Sequence, residues 1–224
     1  MLSIVSTPIG NHGDITLRAM ETLKACDGIV CEDTRVTGNL LKLLELPKKE
    51  LISFHGYSDQ GKADHILKRL KDGKHLVLVS DAGTPGISDP GFAIVSRARS
   101  AAIPIEVIPG PAAFLAALSA SGLPMNQFLY IGFLTLKKGR KTLMESFRDE
   151  KRTIVFYESV HRIEKTLNEL SAVLTDQTDR PVCIARELTK MHEEVIATTI
   201  GDLPRTIESM TKKGEFVVVL GPTV

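Results

Sequence analysis

Leu76-Val77-Leu78-Val79, apolar at every position, runs directly into a twelve-residue loop. The loop reads Ser80-Asp81-Ala82-Gly83-Thr84-Pro85-Gly86-Ile87-Ser88-Asp89-Pro90-Gly91, and a helical run follows from Phe92. A strand with no polar face must be covered on both sides, which is the condition of a strand inside a parallel sheet. Glycine lets backbone approach a ligand closely or take positive φ, and proline stiffens the chain while removing N–H donors. In open α/β sheets, ligands bind at loops that leave the carboxyl ends of the strands. This segment therefore constrains the fold to α/β and nominates a binding loop within it.

The flanking sequence repeats the alternation. Strands are expected at Leu2–Ser6, Gly28–Cys31, Leu51–Phe54, Leu76–Val79 and Ile105–Ile108. Helices are expected at Ile15–Ala25, with Asp14 as N-cap, and at Val36–Leu44, Gly61–Lys71, Phe92–Ala101 and Ala112–Ala120. This predicts a mostly parallel sheet with helices on both faces. Gly122-Leu123-Pro124 breaks the rhythm and places a domain boundary near Leu123, giving domains 1–123 and 124–224. Beyond it, strands at Phe128–Gly132, Thr153–Tyr157, Pro181–Ala185, Glu194–Thr199 and Phe216–Leu220 alternate less regularly with helices at Lys141–Arg148, Val160–Ala172 and Asp202–Met210. That half reads as α+β with a mixed sheet, and a cleft between two such domains is a common ligand site.

The formal net charge is +1, so any contact with a polyanion must come from a local cluster. The three cysteines, Cys26, Cys31 and Cys183, form neither a disulfide framework nor a paired metal motif, and a reducing cytoplasm suits them. None of the six histidines has metal-ligand spacing, so no metal is expected. The amino terminus lacks a basic leader, and no apolar run approaches the ~20 residues of a membrane helix.

Four loops follow first-half strands with residues suited to a site. Thr7-Pro8-Ile9-Gly10-Asn11-His12-Gly13-Asp14 is glycine-rich and enters a helix, but lacks the dinucleotide fingerprint G-x-G-x-x-G. Glu32-Asp33-Thr34-Arg35 is either a polar site or an ordinary acidic helix start. Ser80–Gly91 is the third loop, and Pro109-Gly110-Pro111-Ala112-Ala113 is the fourth. Gly56–Ala63 nearly matches a phosphate-binding P-loop, yet position 63 is Ala where a Mg²⁺-binding hydroxyl is required. A nucleotide-binding protein is therefore a remote alternative.

Together these loops resemble the tetrapyrrole methylase superfamily, most nearly its branch that methylates ribosomal RNA. The resemblance is carried by Ser6-Thr7-Pro8-Ile9-Gly10-Asn11, Glu32-Asp33-Thr34-Arg35, Ser80 to Gly91, Val107-Ile108-Pro109-Gly110-Pro111, Phe156-Tyr157-Glu158-Ser159 with His161-Arg162, and Ala185-Arg186-Glu187-Leu188-Thr189-Lys190. It implies two α/β domains with an S-adenosylmethionine cleft between them, a homodimer, and methylation of the ribose 2′-hydroxyl of a decoding-region cytidine in 16S rRNA. A corrinoid-type small-molecule methylase and a non-catalytic cofactor sensor are the alternatives. Motif alignment assigns the cofactor to Ile9, Asp81, Ala82, Gly83, Ile87, Ala112, Ala113, Glu158 and Leu188. Many superfamily members carry Gly-Gly-Asp where this chain has Asp81-Ala82-Gly83, so the carboxylate has moved. Members of the rRNA branch usually continue past the final strand into a basic tail, whereas this sequence ends at Val224.

Methylating a hydroxyl calls for a base. Glu32, Asp33 and Glu187 are the candidates, with the Glu32–Arg35 loop preferred. Arg35 either pairs with a phosphate or ties down a neighbouring carboxylate. Lys137, Lys138, Arg140 and Lys141 form the densest basic cluster and the expected RNA contact, and Tyr57 or Tyr157 the expected stacking platform.

Overall fold

The structure, a computed structural model, describes residues 1–56 and 60–223 and comprises two compact units, Met1–Ala112 and Ala113–Val224. The first carries strands β1 (Leu2–Val5), β2 (Gly28–Cys31), β3 (Glu50–Ser53), β4 (Leu76–Leu78) and β5 (Ile105–Ile108). Its helices are α1 (Leu17–Ala25), α2 (Thr34–Leu43), α3 (Gln60–Lys71) and α4 (Gly91–Ser100). The strands form a wholly parallel sheet in the order β3-β2-β4-β1-β5.

Alternate residues of each strand enter opposite cores. Leu76 and Leu78 of β4 join Leu2 and Val30 beneath Ile66, Leu70 and Ile94 of α3 and α4. Val77 and Val79 join Val5, Ile29 and Ile108 beneath Leu23 and Leu41 of α1 and α2. That is why β4 has no polar position. Burying a side chain such as Ile66 contributes about 1.5–3 kcal/mol.

One local expectation is corrected. Asp14 belongs to a short 3₁₀ turn, His12–Asp14, and does not cap α1. Thr16 does, accepting the Ala19 amide at 3.1 Å. A hydroxyl placed three residues before a free helix amide satisfies that donor, which Asp14 is too far back to reach.

The second unit contains α5 (Ala113–Ser121), β6 (Phe128–Phe133), α6 (Arg140–Ser146), β7 (Thr153–Glu158), α7 (Ile163–Val173), β8 (Pro181–Arg186), β9 (Glu194–Thr199), α8 (Leu203–Ser209) and β10 (Phe216–Leu220). Its sheet runs β6-β7-β10-β8-β9, parallel at β6–β7 and antiparallel elsewhere. Residues of α6, α7 and α8, including Met144, Leu167 and Ile207, share one core with Phe156, Ile184 and Val218 of the sheet. Helix α5 packs against β7, β8, β9 and β10. The structure thus divides before α5, where the sequence rhythm suggested a boundary after it at Leu123. The small, apolar α5 extends the strand–helix alternation in sequence while packing on the mixed sheet in space.

Candidate active site at the carboxyl ends of the parallel strands

The chain leaves β2 toward the edge strand β3 and leaves β4 in the opposite direction toward β5, although β2 and β4 are neighbours. Loops that diverge from adjacent parallel strands open a crevice at their carboxyl ends, where α/β sheets bind ligands. Glu32 follows β2 at this point, and Asp81 follows β4. A small pocket here is lined by Glu32, Phe54, Leu78, Val79, Ser80, Asp89, Pro90 and Gly91.

Hydrogen bonds stitch the loops together. The Asp33 amide donates to Asp81 Oδ1 at 3.0 Å, joining the loops after β2 and β4. Thr7 and Gly83 exchange backbone hydrogen bonds at 2.9 and 3.0 Å, and Thr7 Oγ1 also donates to the Ser80 carbonyl at 3.1 Å. Thr84 Oγ1 donates to the Pro111 carbonyl at 3.0 Å, with Ser6 Oγ 2.9 Å from Thr84. Asp89 closes the long loop on itself, accepting from the amides of Gly86 at 2.8 Å and Gly91 at 2.7 Å. Such a frame holds small residues rigidly. Gly83 has φ +82°, and a Cβ there would meet Ile9 Cγ2 at 3.4 Å and the Pro111 carbonyl oxygen at 3.5 Å. Ile9, Asp81, Ala82 and Gly83 are thereby drawn into one neighbourhood, with Ile87 further along the same loop.

The charged residues of the second loop take different roles. Burial pushes the Glu32 carboxyl above its usual range, and the carboxylates of Asp81 and Asp89 push it the same way. Asp33 moves in the other direction. Hydrogen bonding from the Arg35 side chain, including a 2.6 Å contact, and from the Arg35 amide holds it at about 2. Asp33 also accepts that amide as the N-cap of α2. Of the two readings of Arg35, the structure shows the tie to Asp33. It leaves Glu32 as the more basic carboxylate of the pair.

In the second unit, Leu188 is buried between two residues with left-handed backbone, Glu187 at φ 50° and Thr189 at φ 66°. Glu187, the third candidate base, is engaged by neighbouring donors. Its Oε1 accepts from the Glu215 amide at 2.9 Å and from Lys190 Nζ at 3.0 Å. Burial alone would raise its carboxyl, but these donors outweigh it and hold it low. The Glu158 carboxylate is fully enclosed, accepting from Thr166 Oγ1 at 2.6 Å and the Ser159 amide at 2.8 Å and pairing with Arg162 at 2.9 Å. Only its main chain is left to offer a ligand. Ala112 and Ala113, both half-buried, are the last residue of one unit and the first of the next.

The basic cluster is corrected at Arg140. Its side chain is buried, bonded to Glu169 Oε2 at 2.8 Å, to Thr166 Oγ1 at 2.6 Å and to the Thr135 carbonyl at 3.2 Å. It is not a surface cation. Lys137 and Lys138 are exposed, and Lys141 is exposed with Glu145 3.7 Å away. Tyr157 belongs to an aromatic cluster with Tyr130 and Phe133, and its hydroxyl accepts the Phe114 amide at 3.2 Å. Burial raises its phenol. It is committed to packing, and Tyr57 lies outside the described residues. Of the P-loop-like segment, positions 57–59 lie outside the described residues, Lys62 sits in the first turn of α3, and Ala63 is buried in the core. Among the described residues, no cluster of ligand side chains could hold a metal. No described helix is long and apolar enough to cross a membrane.

The profile of the Tetrapyrrole (Corrin/Porphyrin) Methylases matches residues 1–204. The chain belongs to this family. It is 44% identical over 222 residues to Ribosomal RNA small subunit methyltransferase I of Escherichia coli O157:H7, covering 98% of this chain and 77% of that one. The protein of that name from Thermotoga maritima is 42% identical over 219 residues, covering 98% and 97%. Among solved structures, diphthine synthase superposes with a TM-score of 0.73 at 16% identity, covering 98% of this chain and 89% of that one. The cobalamin-biosynthetic cobalt precorrin-4 methyltransferase superposes with a TM-score of 0.70 at 18% identity, covering 98% and 94%. At such identities the two likenesses show the two-domain α/β fold and nothing finer.

Proposed function

We infer that this family member is an S-adenosylmethionine-dependent ribosomal RNA methyltransferase, acting on the ribose 2′-hydroxyl of a cytidine in the decoding region of 16S rRNA. The observation that carries the reading is identity of 42–44% over 98% of the chain to proteins named for methylating small-subunit rRNA. The cobalt precorrin-4 methyltransferase, by contrast, is alike only in fold. A homodimer in the cytoplasm is part of the same reading.

The residues after β1 and β4 suit the cofactor. Ile9 offers apolar surface, Ala82 and Gly83 carry almost no side chain, and Asp81 retains an oxygen beside the one that accepts the Asp33 amide. Ile87, Ala112, Ala113, the Glu158 main chain and Leu188 complete the proposed contacts. When bound, S-adenosylmethionine supplies an electrophilic methyl group on sulfur. The protein must present the hydroxyl oxygen opposite that sulfur, and orientation accounts for much of the rate. Glu32 would accept the proton of the ribose hydroxyl as that oxygen takes the methyl group. Lys137, Lys138 and Lys141 contact phosphates.

Replacing Gly83 by Val tests the cofactor frame. Left-handed backbone costs an L-residue about 1–2 kcal/mol of stability in free and bound protein alike. The effect on affinity comes from the added methyls, which meet Ile9 and Pro111 and intrude on the loop surface offered to the cofactor, and calorimetry should show S-adenosylmethionine binding weakened ~10-fold or more. Unchanged affinity would remove Gly83 from the cofactor site. For the acceptor, methyl transfer to undermethylated small ribosomal subunits should proceed, while a corrinoid precursor should accept none. The reverse preference would overturn the RNA assignment.

A further inference from the structure

The loop that carries Lys137 and Lys138 is held from beneath by a buried ionic network. Leu134 and Thr135 follow β6, and their carbonyl oxygens accept from two arginines at 3.2 Å each: Arg162 Nη1 on Leu134 and Arg140 Nη1 on Thr135. Both guanidinium groups converge on Glu158 at the end of β7. Arg162 lies 2.9 Å from Oε1 and Arg140 3.8 Å from Oε2. Thr166 of α7 links the pair, accepting from Arg140 Nη2 at 2.6 Å and donating to Glu158 Oε2 at 2.6 Å. Glu169 closes the set, accepting from Arg140 Nε at 2.8 Å.

Arg140 and Arg162 face Glu158 and Glu169, and Lys165 Nζ lies 3.8 Å from Glu169 Oε1 at the surface, so most of the network's charge is compensated internally. Hydrogen bonds of 2.6–2.8 Å join Arg140 to Glu169 and Thr166 and join Thr166 to Glu158, and the enclosed Arg140–Thr166–Glu158 part lies in the low-dielectric setting where such networks are rigid. A structural need for stability alone would be met as well by apolar packing, which often matches or exceeds a buried ion pair. This network fixes the backbone from which an exposed basic turn departs. From Thr135 the chain passes through Leu136, 72% exposed, and Lys137-Lys138 to Gly139 at φ +76°. There the Arg140 amide returns to the Lys137 carbonyl at 3.4 Å.

We propose that Arg140, Arg162, Thr166 and Glu158 are positioning residues for RNA binding, clamping the Leu134–Thr135 backbone so that Lys137 and Lys138 are preset to meet phosphates. The proposal rests on the reading of those two lysines as rRNA contacts. Preorganisation raises affinity by removing the ordering cost at the moment of binding.

The test uses two changes that conserve charge, Thr166→Val and Arg162→Lys, beside Lys137→Ala with Lys138→Ala. Affinity for small-subunit rRNA is measured across salt concentrations, and amide exchange is followed at residues 136–139. Each clamp variant should accelerate exchange in the turn and weaken RNA binding ~5–10-fold. Each should also make the salt dependence shallower by about one phosphate contact, with S-adenosylmethionine affinity held. In the background lacking both lysines, Thr166→Val should have no further effect on RNA. If removing the lysines leaves RNA binding unchanged, the reading of the loop is wrong and the proposal falls with it. If the lysines matter but both clamp variants bind RNA like the parent, or exchange at 136–139 is unaltered, the positioning role alone is overturned. Urea unfolding of each variant separates a loosened turn from a lost fold, and Arg162→Lys carries the test if Thr166→Val does not fold.

Discussion

Replacing Glu32 by Gln should lower turnover ~100-fold or more while leaving S-adenosylmethionine affinity unchanged, because a positioned base is worth about that much and the amide keeps the shape. The argument rests on the contrast within one loop. Asp33 is held at about 2 by Arg35 and caps α2, so it is a weak base with a structural task. Glu32 is raised by burial and by Asp81 and Asp89, so it is the better proton acceptor. Asp33→Asn should accordingly cost far less turnover than Glu32→Gln. Activity of the parent should fall on the acid side as Glu32 protonates, with a midpoint above the ordinary glutamate value of about 4.3. The same shift has a stability consequence. A carboxyl raised in the folded state favours folding fully below about pH 4.3, and that contribution is lost as pH rises through the folded value. Glu32→Gln escapes the loss. Its melting temperature should match or exceed the parent's at pH 8, and the gap should close near pH 4. A variant that is active, or less stable at pH 8 than at pH 4 relative to the parent, would contradict the assignment.

Arg140→Ala should be the most damaging change in the basic cluster, and its damage should be to the fold. The substitution leaves Glu169 and Thr166 without their arginine contacts and deprives the enclosed Glu158 carboxylate of one of its two. Removing one member of a buried ionic set costs about 3–5 kcal/mol. Lys138→Ala, at an exposed site, should change stability by less than about 0.5 kcal/mol. Urea unfolding of the two variants side by side would show the difference. Equal stabilities would mean that Arg140 is solvated, as its sequence context suggests.

That pair also marks where the sequence stopped being informative. Apolar strands and periodic helices are local signals, so β2, β5, β9 and β10 were legible residue for residue, and the four loops singled out follow β1, β2, β4 and β5. The partner of a charged side chain is not local. Nothing in Lys137-Lys138-Gly139-Arg140-Lys141 distinguishes the one arginine that turns inward, because Glu158, Thr166 and Glu169 are supplied by β7 and α7. Helix α5 was legible as a helix, but not the sheet it covers, because its packing on β7, β8, β9 and β10 depends on strands far along the chain. The loop residues Ser6, Thr84 and Asp89 were within the segments singled out, yet their stitching roles depend on distances between strands far apart in sequence. Within the candidate site, the sequence offered Glu32 and Asp33 as equals. Their separation required the position of Arg35 on one and of Asp81 and Asp89 around the other.

The most direct test is nucleoside analysis of small-subunit rRNA after transfer of labelled methyl from S-adenosylmethionine by the parent chain and by Glu32→Gln. The account predicts label on the ribose 2′-oxygen of a single decoding-region cytidine with the parent, and ~100-fold slower appearance of that same product with the variant. Label on a base, or on no rRNA nucleotide at all, would contradict it.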